Sequence, residues 1–349
     1  MKKLKDESII KKLANELGLG RPPDPERAIR TFCLQKVDGI YKRFNGISDL
    51  DRFLEIIGSS LGIKFEEVHD EEDLINLKEK YLNRGELIFA DLHRQLDDKT
   101  DAVLIELVKK EEWEPSYVAI IDCRGFKKYR SYFSKWHEIG HVLTTPAQMS
   151  FRFRRTPVSK KDPEEQLVDR IAGDLAFYSP IVMPDLLIMA EKEKRITFDI
   201  IENLRNKLSP EASRESSIRG TLTRSPFPQL FVIAELGLKK DEERMIRQMD
   251  IFPNEINNPI IHKLRAVEVI ANDAGIKAGL WIYPNMEVPE ESIINKIFED
   301  PILALETQTN SEDLSWWKHS RGRLENRRVW VEALKIGNRV FGLISLLEN

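Results

Sequence analysis

The residues with the clearest capacity for chemistry are Trp136-His137-Glu138-Ile139-Gly140-His141. His137 and His141 stand four apart, so on a helix they share one face, one turn above the other. Their imidazoles can then hold a single ion at ~2.0–2.1 Å from each nitrogen. Glu138 projects ~100° further round the helix, beside such an ion rather than onto it. From there its carboxylate can take a proton from a water that the ion activates, which is the general-base role in metal-assisted hydrolysis. Ile139, Val142 and Leu143 are apolar, and Gly140 leaves room for another backbone to approach. An HExxH arises by accident in roughly one chain in a hundred of this composition, as two histidines on an ordinary helix. Its weight here comes from context: strand-like runs precede it and a third ligand is available downstream.

That third ligand is Glu165, 24 residues beyond His141 at the start of the next long helix, with Asp169 one turn later. Zinc held by two His and one Glu keeps a fourth position open, the geometry of a catalytic site. Asp169 is placed to accept the second ring N–H of a ligand histidine and so to orient it. Two other readings stay open. Asp162-Pro163-Glu164-Glu165 fits a capping box, in which Glu165 closes the helix start. Glu164 is a competing ligand, although Val168 rather than a carboxylate lies one turn after it.

The segment Phe133-Ser134-Lys135-Trp136-His137-Glu138-Ile139-Gly140-His141 resembles the RFTLAHELGH segment of the ImmA/IrrE family of metallopeptidases. Glu165 to Leu175, EQLVDRIAGDL, is similar to that family's ExxANxFAAxLLMP segment, with Pro180 or Met183-Pro184 standing for its proline. Leu208-Ser209-Pro210-Glu211-Ala212-Ser213 resembles the helical segment that follows the site. The resemblance covers about residues 60 to 225. It implies Zn2+ on His137, His141 and Glu165, Glu138 as general base, and a helix-turn-helix repressor as the kind of protein cut, in a stress or mobile-element response. Three positions depart from the family pattern, of which Ile171 in place of Phe is a mild change. Lys135 replaces an apolar residue, but lies ~200° from His137 round the helix, so its charge can face away from the metal. Trp136 replaces a small residue and implies a differently packed or narrower pocket.

The elements that must position these residues follow from periodicity. Ile9, Ile10, Leu13 and Leu17 define a first helix stopped by Gly18-Leu19-Gly20. Asp24 and Pro25 open a second with Ile29, Phe32, Val37, Ile40, Tyr41 and Phe44 on its apolar face. A third starts at Ser48, with Gly62 after its end. The period then changes: Ile63–Val68, Leu87–Leu92, Val103–Val108 and Tyr117–Ile121 read as strands. Helices are expected at about 128–144, at 163–178 behind an Asp162 cap, at 197–207, and at 210–223. Leu230–Ala234, Ala266–Ile270 and Ala278–Ile282 read as strands, and Val329–Leu334 with Val340–Leu347 as a hairpin turning at Gly337-Asn338. The expected organisation is α+β: a helical region 1–62, a zincin-like peptidase core 63–225 of small sheet plus HExxH helix, and a C-terminal α/β domain 226–349 that regulates it or presents substrate.

Composition narrows the alternatives. The 349 residues are 41% hydrophobic and 32% charged, enough apolar material for sizeable cores and against wholesale disorder. Cys33 and Cys123 are the two cysteines, too few for a disulfide framework, a zinc ribbon or an iron–sulfur cluster. The start, MKKLKDESIIKKLANELG, lacks the apolar stretch of a signal peptide, and no run approaches the 18 apolar residues of a membrane span. A cytoplasmic protein is expected. Lys and Arg total 54 against 58 Asp and Glu, so nucleic acid is not an expected partner, although Phe151–Lys161 and Arg321, Arg323, Arg327 and Arg328 are basic clusters. His69, His93 and Tyr178 are candidate oxyanion donors, and Trp316-Trp317 is a candidate pocket lining. The reading is a zinc-dependent endopeptidase. A regulator that sequesters a partner through a zinc site is the alternative.

Overall fold

The computed structural model describes residues 2–44, 46–108, 113–145, 152–155, 162–239, 242, 262–319 and 322–347. The chain is a mixed α+β protein that divides into two compact units. One is Met1–Val182 with Leu204–Gly220, and the other is Met183–Asn203 with Thr221–Asn349. Among the described residues, no single helix is long and apolar enough to cross a membrane.

The first unit opens with α1 (Lys2–Glu16), α2 (Pro25–Tyr41) and α3 (Leu50–Ser60). Asp24 caps α2 by accepting from the Arg27 N–H, and Asp49, not Ser48, caps α3 through the Arg52 N–H. There follow β1 (Ile63–Val68), α4 (Glu71–Asn83), a 3₁₀ turn Leu87–Asp91, α5 (Leu92–Gln95), β2 (Ala102–Glu106) and β3 (Tyr117–Asp122). The 3₁₀ turn Gly125–Arg130 then leads into α6 (Ser131–Thr144), β4 (Arg152–Arg155) and α7 (Pro163–Ala176). The sheet order is β1-β3-β2-β4, with β1 and β3 parallel and the other pairs antiparallel. Parallel pairing requires a crossover, and α4 to β2 supplies it. Leu74, Leu77 and Tyr81 of α4 pack with Val103, Ile105, Val118 and Ile120 to make a core on the sheet.

The expected strand Leu87–Leu92 is instead helical. Its burial shows why: Phe89 and Leu92, three apart, are fully buried, whereas Leu87 is 79% exposed, so the apolar period is that of a helix. The helix α4 has no counterpart in the sequence reading.

The remaining helices are α8 (Ser179–Met189), α9 (Phe198–Leu208) and α10 (Arg214–Arg224). Pro180 therefore sits in the first turn of a further helix, where its missing N–H costs nothing, rather than in a loop. The α10 helix starts at Arg214 rather than at Pro210, because Ser213 Oγ accepts the Ser216 N–H and so caps it there.

The second unit is built on a five-stranded antiparallel sheet, ordered β6-β5-β11-β10-β7. Its strands are β5 (Gln229–Gly237), β6 (Lys263–Ala271), β7 (Gln308–Asp313), β10 (Arg328–Ile336) and β11 (Arg339–Leu346), with a separate β8 (Lys318–His319) and β9 (Gly322–Arg323) ribbon. Gly337, at φ +59°, supplies the positive φ for the two-residue turn between β10 and β11. Short helices α11 (Asp273–Lys277) and α12 (Ile293–Glu299) complete the unit. Ile294 of α12 covers Gly342 of β11 so closely that an added Cβ would lie 2.7 Å from its Cδ1. The expected strand Ala278–Ile282 is not one. Leu280 and Ile282 are buried at alternate positions as in a strand, but the Leu280 N–H is spent on the carbonyl of Gly275 within α11. Trp317 belongs to the core of this unit rather than to a pocket lining.

Candidate metal centre

The α6 helix carries the WHEIGH segment, lies against β3 and β2, and packs along α7. It is buried on nearly every side, which explains its run of apolar residues and makes each polar residue in it informative. Trp136 is fully buried and packs on Phe53 of α3 with ring centroids 5.4 Å apart, and on Tyr132. Its indole thus fixes α6 to the N-terminal helices. Lys135 is 8% exposed and reaches Glu67 of β1 at 2.7 Å and Glu211 at 3.2 Å. Burial alone would lower its pKa, but those two carboxylates hold it above the ordinary lysine value. A lysine inside an apolar helix signals such partners, although their identity was not legible from the sequence.

Gly140 faces α7 at close range. A Cβ there would stand 2.9 Å from Val168 Cγ1 and 3.4 Å from the Val168 carbonyl oxygen, so glycine sets how near α7 can come. The Tyr132 hydroxyl ties the far end of the pair by donating to the Ala176 carbonyl at 2.6 Å.

This approach brings three ligating side chains together. His137 Nε2 and His141 Nε2 are 3.0 Å apart. Glu165 places Oε2 3.2 Å from His137 Nε2 and Oε1 3.4 Å from His141 Nε2. Among the described residues, His137, His141 and Glu165 form a group with geometry able to hold a metal ion. The spacing fits: zinc–nitrogen bonds of ~2.0–2.1 Å around a tetrahedral ion put neighbouring donor atoms ~3.3 Å apart. The donor types, two neutral imidazoles and one carboxylate, suit a borderline ion as well.

Asp169, one turn beyond Glu165, places Oδ1 3.0 Å from His137 Nδ1. A proton on Nδ1, donated to this carboxylate, leaves the Nε2 lone pair directed at Glu165 and His141. Glu165 does not close the helix: Asp162 caps α7 by accepting the Glu164 N–H at 3.2 Å, and Glu165 turns to the histidines. Glu164 stands instead among carboxylates. Burial, reinforced by the charges of Asp162, Glu16 and Glu165, raises its pKa above the ordinary value.

His137, Glu138 and His141 are at most 2% exposed, whereas the side chains of Glu165 and Asp169 are 31% and 21% exposed. Access to the group is therefore from the α7 side. Of the candidate oxyanion donors, Tyr178 is buried with its hydroxyl on Asp38, and His69 and His93 are exposed. Most of the basic run 151–161 lies outside the described residues. Arg321 does too, and Arg327 is engaged by the Ala278 carbonyl and Glu325. No protein-family model matches the chain, and the search of curated proteins finds no match to it.

Proposed function

We propose that the chain is a zinc-dependent endopeptidase with a zincin-like core, of the kind found in the ImmA/IrrE family. The observation that carries this reading is the convergence of His137 Nε2, His141 Nε2 and a Glu165 carboxylate, with buried Glu138 on the same helix. Zinc at such a site supplies Lewis-acid polarisation of a carbonyl and lowers the pKa of water. His137, His141 and Glu165 would hold it, and Asp169 would keep His137 in the tautomer that presents Nε2. Glu138 acts as general base, taking a proton from the attacking water and passing it to the leaving amine as the peptide bond breaks. Because Glu138 is excluded from bulk solvent, its carboxylate interacts strongly with charge that develops beside it. The α7 side, where Glu165 and Asp169 remain partly exposed, is where an extended polypeptide reaches the site.

The substrate class proposed is a regulatory protein, with helix-turn-helix repressors as first candidates. Expressing the wild-type chain and Glu138→Gln beside such repressors tests this. The wild type shortens its repressor, whereas Glu138→Gln retains zinc and leaves the repressor at full length. Equal relief of repression by both proteins, with no shortened product from either, would make the chain a zinc-holding sequestering partner instead.

A further inference from the structure

A second group of metal-ligating atoms lies in the first unit, on the far ends of two neighbouring strands. Glu67 is the penultimate residue of β1, His69 directly follows the strand, and Cys123 directly follows β3. The strands are parallel and in register, Val68 opposite Asp122, and the Cys123 N–H donates to the Val68 carbonyl at 2.8 Å. That ladder sets Cys123 beside His69. His69 is held in turn by its own N–H, which donates to Asp73 Oδ2 at 2.9 Å in the first turn of α4. Cys123 Sγ, a His69 ring nitrogen and a Glu67 oxygen all lie within 4.8 Å of one another. His69 Nε2 is already 3.2 Å from Glu67 Oε2.

We propose that Glu67, His69 and Cys123 form a second metal site, for a zinc-class divalent ion, distinct from the group on α6 and α7. Thiolate, imidazole and carboxylate together match the borderline-soft character of zinc, and three protein ligands leave one position to water. The side-chain atoms have the freedom to close on an ion: the sulfur sits on a rigid strand end at 5% exposure, whereas the His69 side chain is 62% exposed and can swing toward it. Glu67 divides its two oxygens, with Oε2 toward His69 and Oε1 on Lys135 Nζ at 2.7 Å. Lys135 precedes the first histidine of the α6 group by two residues, so an ion here would tie β1, β3 and α6 through one carboxylate. On binding, the Cys123 S–H proton leaves to solvent as the metal–sulfur bond forms.

Cobalt(II) titration of the full-length, metal-stripped protein tests the proposal. The α6–α7 group contains no sulfur, so a thiolate-to-cobalt charge-transfer band in the near ultraviolet reports on the second site alone. Its outcome is therefore separate from that of the peptidase reading. The band is expected in the wild type and in Cys33→Ser, since Cys33 is fully buried in α2. It is expected to vanish in Cys123→Ser and to weaken in His69→Ala, with bound cobalt falling from about two to about one per chain in Cys123→Ser. Absence of the band in wild type at saturating cobalt, or its survival in Cys123→Ser, overturns the proposal.

Discussion

The α6–α7 helix pair and the five-stranded sheet both bury polar side chains, but those side chains have different destinations. In the sheet unit Gln229, Glu332 and Glu312 end on backbone groups and small polar neighbours. Gln229 accepts the Ile196 N–H and donates to the Ile196 carbonyl and to Ser345. Glu332 accepts the Phe198 N–H at 3.1 Å, and Glu312 accepts the Ile293 N–H at 2.6 Å. Such residues close loops onto the sheet, and burying them is compensated locally. On α6 and α7 the ligating atoms of three side chains instead face one another at 3.0–3.4 Å. Polar burial that terminates in backbone holds an architecture together. Polar burial that converges ligating atoms on one point is an arrangement able to hold an ion.

Two of the buried glutamates, Glu138 and Glu332, make the contrast testable. Glu138→Gln is expected to lower the rate of substrate cleavage by about 10²–10⁴-fold with zinc content unchanged. Glu332→Gln is expected to leave that rate alone. Loss of activity in both, or in neither, would erase the distinction.

The effect of Glu332 is expected in stability. Burial raises its pKa to about 7 against the Phe198 N–H and Arg195, which pull the other way. A raised carboxylate contributes stability that is fully present below its unfolded value of 4.5 and is lost as pH rises through the folded one. Urea midpoints measured at pH 5 and pH 8 should show the wild type losing up to about 3 kcal/mol over that range beyond any change in Glu332→Gln. Parallel curves for the two proteins would contradict the assignment.

Asp169→Asn replaces the acceptor that fixes His137, with the other ligands retained. Metal affinity should fall about 10- to 100-fold in competition with a chelator. Unchanged affinity would mean that His137 is oriented by packing alone. Gly140→Ala has the smallest expected effect. Its Cβ would press on Val168, and overpacking of that kind costs about 1–3 kcal/mol in unfolding experiments. Full stability in Gly140→Ala would show that the helices can separate without penalty.

The ligating group was legible in the sequence because much of its spacing is local. His137 and His141 stand four positions apart, and Glu165 and Asp169 one helical turn apart, so helical geometry alone puts each pair on one face. Capping was local too: Asp24, Asp162 and the Gly337-Asn338 turn announce themselves. Contacts set by tertiary packing were not legible. Nothing near Lys135 in sequence names Glu67 or Glu211, and nothing near Cys123 names His69, because parallel strand pairing joins residues more than fifty positions apart. Short apolar runs also misled: Leu87–Leu92 and Ala278–Ile282 carry strand-like composition, and only the backbone partners of their neighbours decide otherwise.

The central claim is that His137, His141 and Glu165 hold one metal ion. Zinc analysis of untagged Cys123→Ser protein, which isolates this group from the thiol-containing one, tests it most directly. About one zinc per chain is predicted, falling to near zero when His137→Ala or His141→Ala is added, and lowered in occupancy by Glu165→Gln. Metal-free Cys123→Ser protein, or undiminished zinc after removal of either histidine, would contradict it.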